Sequence, residues 1–277
     1  MPVQQKFRGR LVLSCVALGL GLAVSARAQE DAWRVSVGGG VISAPKFPGS
    51  DSQRTLVLPL VSASYGRFFI GGDPAAGSAG GIGLNLYRDS RWRLSAAISA
   101  DLARRKESDD PRLTGLGDVQ RTASAVLGAS YTHDWFTARA RVASDILGRD
   151  QGTLARLDLL ARYRPSEQWS FSAGPGLTWA NDRYTRTFFG VDADQSARSG
   201  LPQFDAKGGL NSARFSVHAN YRIDRHWGAG GFGSYSRLQN AAADSPITED
   251  KSQYVLGVFL AYRFGNASGI AQEYDYR

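Results

Sequence analysis

The stretch "DWFTARARVASDI", residues 134–146, changes chemical character at every step. Phe136, Ala138, Ala140, Val142 and Ile146 fall on one side, while Thr137, Arg139, Arg141 and Asp145 fall on the other. Successive side chains of an extended chain point to opposite faces, so this is a β-strand with one apolar and one charged face. The next segment repeats the pattern. Leu157, Leu159, Ala161 and Tyr163 oppose Arg156, Asp158 and Arg162; further on, Phe215, Val217, Ala219 and Tyr221 oppose Arg214, Ser216, His218 and Asn220.

Alternation alone also fits a soluble β-sandwich. Four further features favour lipid outside and water inside. The segments run about 9 to 13 residues, longer than an ordinary globular strand and close to the tilted length that crosses a bilayer. Gly and Ala recur within strands, as in "HWGAGGFGSYS". Charges sit at the middle of the polar faces, and aromatics gather at strand ends. Tyr87 and Trp92, Tyr131 and Trp135, Tyr163 and Trp169, and Tyr221 and Trp227 each bracket a short polar turn. Rings with a polar tip favour the boundary between hydrocarbon and headgroups, so these eight form a candidate interfacial girdle. The fold expected is all-β: a closed antiparallel transmembrane barrel of about twelve strands, with ten left open because "RFFIGG" is short and Leu84 and Leu86 run out of phase with Tyr87.

Residues 1–28 have the form of a secretory signal peptide. Lys6, Arg8 and Arg10 precede the apolar run Leu11–Val24, and Ala26 and Ala28 frame a cleavage site. That run is too short for a membrane helix. Cleavage removes four basic residues and Cys15, so the net charge falls from +8 to +4 and thiol chemistry is excluded. A charge that mild, on an exported chain, excludes nucleic acid as a partner. The barrel then spans 29–264, and 265–277 form a C-terminal tail. Short turns belong in the periplasm and long connections outside, which puts both termini in the periplasm.

The inward faces carry a ladder of Arg93, Asp101, Arg139, Arg141, Asp145, Arg156, Asp158, Arg162 and Arg214. In a narrow barrel such groups make a wet, ion-paired filling rather than a wide hole. No catalytic, cofactor or metal site is read. Ser216 and His218 share a face but lack an orienting group and a nucleophile elbow, and the carboxylates of "ESDDPR" and "VDADQS" lack calcium-loop spacing. Outer-membrane lipid and lipopolysaccharide are the expected surroundings.

Four connections carry further motifs: "SAPKFPGSD" (43–51), "GLGD" (115–118), "FFGVDADQSARSGLPQFDAKGGL" (188–210) and "YSRLQNAAADSPI" (235–247), before a closing "YRF". In these the chain resembles the MipA/OmpV family of Gram-negative outer-membrane proteins over nearly all of the mature sequence. The resemblance implies an outer-membrane barrel, and for some members a scaffold joining a murein-degrading transglycosylase to a murein synthase; other relatives are porin-like or adhesive. It implies no catalytic residue. The chain departs from an ordinary barrel terminus in the thirteen residues after Phe264, where a terminal aromatic is usual. The scaffold role also meets a geometric difficulty, because the motif-bearing loops all lie at the end away from the periplasm.

Overall fold

The computed structural model describes residues 33–72, 80–101 and 105–264, so the expected signal peptide (1–28) and tail (265–277) lie outside the described residues. Twelve strands follow in order: β1 (Arg34–Pro45), β2 (Gln53–Tyr65), β3 (Phe68–Ile70), β4 (Ile82–Arg88), β5 (Trp92–Asp101), β6 (Thr122–His133), β7 (Phe136–Asp145), β8 (Thr153–Tyr163), β9 (Trp169–Ala180), β10 (Gly209–Arg222), β11 (Trp227–Leu238) and β12 (Ser252–Phe264). Each pairs antiparallel with its sequence neighbours, and β12 returns to β1 from Val35↔Phe264 to Ser43↔Leu256, closing the barrel. Closure leaves no unpaired edge, which a strand in hydrocarbon cannot tolerate. No described helix is long and apolar enough to cross a membrane.

The side-chain alternation decides which face meets lipid. Val57 is 77% exposed, Leu127 61% and Val258 62%, whereas Ser95, Ser130, Thr137 and Thr178 are buried. This is a soluble protein's distribution inverted: apolar outside, hydroxyl-lined within. Glycines serve the inside. A Cβ at Gly257 would strike the Phe232 ring, and one at Gly230 would strike Phe259, so the small residues of β11 and β12 make room for two lumen-facing phenylalanines.

The two doubtful strands have local causes. β3 stops after three residues because Gly71, at φ +102°, turns the chain out of the ladder while its N–H donates to the Gly81 carbonyl at 2.8 Å. In β4 a bulge between Asn85 and Tyr87 breaks the alternation, so Leu86 and Tyr87 are both exposed despite being adjacent.

Three of the Tyr/Trp turns have a shared device. Asp89 Oδ1 accepts the N–H of Trp92 at 2.6 Å, Asp224 Oδ1 that of Trp227 at 2.7 Å, and Ser166 Oγ that of Trp169 at 3.2 Å. A short polar side chain three residues before the tryptophan thus fixes the turn. These backbone donors hold the Asp89 and Asp224 carboxyls below the ordinary aspartate range. The rings then meet between neighbouring turns rather than within one. Trp92 lies 4.9 Å from Tyr131, Trp169 4.7 Å from Tyr221, and Trp227 5.1 Å from Tyr262, with Trp33 stacked on Tyr65 at 4.9 Å. Tyr87, Trp135 and Tyr163 are exposed on the same rim, and Tyr131 is half-buried beneath Trp92.

Candidate functional site

At the opposite end the long connections fold on one another. The sequence shows little helical periodicity, yet three short helices form there: α1 (Asp182–Phe189), α2 (Ala193–Ser199) and α3 (Asn240–Asp244). Local capping explains the first two. Asn181 accepts the Tyr184 N–H at 3.0 Å; Asp192 and Gln195 form a reciprocal capping box, and Gly200 ends α2 in the left-handed region at φ +75°.

These helices build a cap with a dry interior. Tyr184, Phe188 and Phe189 of α1 pack with Val119, Ala206, Leu238 and Ala242, and beside them Phe47, Leu113, Leu116, Val191 and Ile247 form a second buried cluster. The four sequence motifs are the mutual contacts of this cap. Gln195 Nε2 donates to the Leu116 carbonyl at 2.7 Å and Arg198 Nε to that of Gly115 at 3.1 Å, joining "QSARS" to "GLGD". Gly115, at φ +85°, has no room for a Cβ against the Arg198 backbone. Gly49 N–H donates to Gln253 Oε1 at 3.1 Å, the Glu249 N–H to the Gly49 carbonyl at 2.8 Å, and Ser245 Oγ to the Phe189 carbonyl at 2.6 Å. Arg105 is the cap's largest buried side chain. It donates from Nη1 to the Phe188 carbonyl at 3.0 Å, and burial lowers its pKa to about 10 against the opposing pull of Asp118 and Glu107.

Beneath the cap, the inner faces of β7 to β10 are basic. Arg139 faces Asp158 across the β7–β8 ladder, and Arg141 faces Arg156. Asp158 faces Gly176, which faces Arg214, and Asp158 and Arg214 form an ion pair across that glycine, their side chains 19% and 16% exposed. A Cβ at Gly176 would intrude on both partners. Arg156 lies within electrostatic reach of Arg141, Arg214, Asp158 and, in the cap, Tyr184. Arg139, Arg156 and Arg214 therefore gather around Asp158.

The remaining ladder members lie elsewhere. Arg162, opposite Ser172, sits nearer the short-turn end of β8, and Arg93 is 3% exposed at the short-turn end of β5. Asp145 ends β7 at the cap side, where it accepts the N–H groups of Leu147, Arg149 and Gln151 at 2.9, 2.7 and 3.2 Å, organising a turn rather than filling the lumen. Asp101 ends β5, and its side chain is outside the description. On the inner face His218 stacks with Phe232 at 6.1 Å. Among the described residues no group of three or more His, Cys, Asp or Glu is placed to hold a metal ion.

The cap contains one titrating weak point. Burial, then the carboxylates of Asp110 and Asp51, raises the Glu249 carboxyl above the ordinary glutamate value, with Arg112 partly offsetting them. The folded cap therefore holds this proton more tightly than the unfolded chain does. Its contribution to stability is fully present below the ordinary glutamate pKa and is lost as pH rises through the raised one. Glu249→Gln is expected to slow proteolysis of the loops at neutral pH and to leave it unchanged near pH 4; equal rates for the two proteins at neutral pH would remove Glu249 from this role.

Comparison with known proteins finds relatives over most of this chain. The MltA-interacting protein of Escherichia coli (strain K12) is 26% identical over 257 residues, covering 91% of this chain and 99% of the relative. The putative outer membrane protein YiaT of Escherichia coli O157:H7 is 22% identical over 244 residues, covering 86% and 94%. Among solved structures, a NanC porin overlays with a TM-score of 0.41 at 10% identity, covering 82% of this chain and 98% of that one. The family described as MltA-interacting protein MipA matches residues 37–264. Over that span, which is nearly all of the barrel and its cap, the chain belongs to the MipA family.

Proposed function

We propose that this chain is an outer-membrane structural and interaction protein, holding a murein-degrading transglycosylase and its synthase partner at the periplasmic face. The observation that carries this reading is the cap: Phe47, Leu113, Phe188, Phe189 and Ile247 are all 0–1% exposed, so the long-loop mouth is packed like a protein core and is poorly suited to passing solutes. The relative named for its interaction with MltA supports it. The short turns and both termini then face the periplasm, and the partner's contact falls on the short-turn rim. This meets the geometric difficulty of the scaffold role, since the loop motifs are occupied in building the cap. Affinity capture from detergent-solubilised envelopes, with the tagged mature protein as bait, is expected to recover a murein transglycosylase at near-stoichiometric level; its absence from wild-type captures sinks the scaffold reading.

A second reading, a narrow channel preferring anions, is favoured by the gathering of Arg139, Arg156 and Arg214 around Asp158 on the inner face. Planar-bilayer recordings separate the two. Anion-selective steps from the intact protein favour the channel, and silence favours the capped scaffold.

A further inference from the structure

The wall from β7 to β12 carries two chemistries side by side within the barrel. Arg139, Arg156 and Arg214 surround Asp158 near the middle of β7, β8 and β10. Further along β10 toward the short turns comes His218, within electrostatic reach of Arg139, Arg214 and Asp158. Phe232 of β11 stands directly opposite His218 in the ladder, and the two rings stack at 6.1 Å. Phe259 of β12 comes next, opposite Gly230 of β11.

The three arginines, His218 and both phenylalanines have the inward phase of their strands, yet none is fully buried. Inside a closed barrel such exposure means that they border open space. The glycines show how the rings leave that space clear. Phe232 lies over Gly257 and Phe259 over Gly230, where a Cβ would collide with the ring, so both are laid against the wall.

Two physical points give this chamber a ligand. A carboxylate accepts about four hydrogen bonds and each guanidinium offers about five, so Asp158 cannot occupy the donors of three arginines. The Nε atoms of Arg139 and Arg214 are buried and meet no acceptor among the described residues. A second carboxylate matches such planar forks with paired N–H bonds. Beside them, the flat faces of His218 and Phe232 favour a planar aromatic body over a small hydrated ion.

We propose that the inner wall of β7 to β12 binds an aromatic carboxylate. Arg139, Arg156 and Arg214 hold its carboxylate, and its ring lies against His218 and Phe232. The site stands on the lumen alone and depends on neither the scaffold nor the channel reading.

Equilibrium dialysis of radiolabelled benzoate against the purified barrel in non-ionic detergent, at constant ionic strength and with empty micelles subtracted, measures the site. Running to equilibrium removes any effect of slow entry past the cap. Saturable binding to the wild type is expected, displaced far better by unlabelled benzoate than by acetate or benzyl alcohol. R156Q leaves the Asp158–Arg214 pair in place and should weaken benzoate binding about tenfold or more, the loss expected for a charge-assisted contact. F232L keeps an apolar side chain, removes the ring and should narrow the advantage of benzoate over acetate. R149Q, an exposed change at the long-loop end, should bind as the wild type does. Heat-modifiable mobility reports folding, and R139Q serves as the test if R156Q does not fold. The proposal is overturned if the wild type shows no saturable binding, if acetate displaces as well as benzoate, or if the folded arginine variant binds unchanged. Saturable binding with a silent bilayer recording assigns the site without a channel; anion-selective steps without such binding support the channel and overturn the site.

Discussion

Phe188→Ala is expected to destabilise the cap by about 3 to 5 kcal/mol, the range for deleting a fully buried aromatic ring, while leaving the barrel closed. Phe188 is 0% exposed, packs 4.6 Å from the Tyr184 ring, and lends its carbonyl to the buried Arg105 guanidinium. Removing the ring leaves a cavity in the larger apolar cluster and loosens the position of the oxygen that satisfies Arg105. The barrel does not depend on it, because the strand ladders close without the loops. The variant is expected to keep its heat-modifiable mobility, to be cut faster within residues 181–208, and to show a larger conductance in planar bilayers than the wild type. Unchanged proteolysis and conductance in a folded variant would show that the cap does not close the mouth.

The sequence made the barrel readable because lipid and water impose a period of two on every strand that separates them. Twelve strands emerge even where one has only three residues, since the neighbours of β3 need a partner on each side. What the alternation cannot reveal is a local break in itself. The Gly71 exit and the bulge at Asn85 and Tyr87 each depend on backbone angles that a pattern of apolar letters does not encode. The cap was harder to read for a different reason. Its helices are five to eight residues long, too short for helical periodicity to stand out, and only their ends carry a signal. "DADQ" at 192–195 is a capping box and Gly200 a left-handed stop, and those residues are the legible trace of α2.

Site residues were legible as faces and illegible as neighbours. Arg139, Arg156 and Arg214 can be placed inward from their own strands, but their sharing of Asp158 follows from the register, which the sequence does not print. Asp145 shows the opposite failure: it has the inward phase of its strand yet stands where the chain turns, and backbone donors claim it.

Asp158→Asn is expected to be the most damaging substitution within the barrel wall, costing about 3 to 5 kcal/mol, the range for leaving one member of a largely buried ion pair uncompensated. The amide still fits, so the effect is electrostatic. Asp158 is ion-paired with Arg214, faces Arg139 in the ladder and lies within reach of Arg156, so neutralising it removes the carboxylate that three cations share. Arg214→Gln removes one of those cations and should cost less. In the double variant D158N/R214Q the two effects should fall short of their sum, because the second change relieves part of the repulsion left by the first. Urea unfolding of the liposome-refolded proteins, followed by tryptophan fluorescence, measures all four corners of the cycle. Additive costs would mean that Asp158 and Arg214 act independently, and the inner face of β7 to β10 would then have to be held by other pairs.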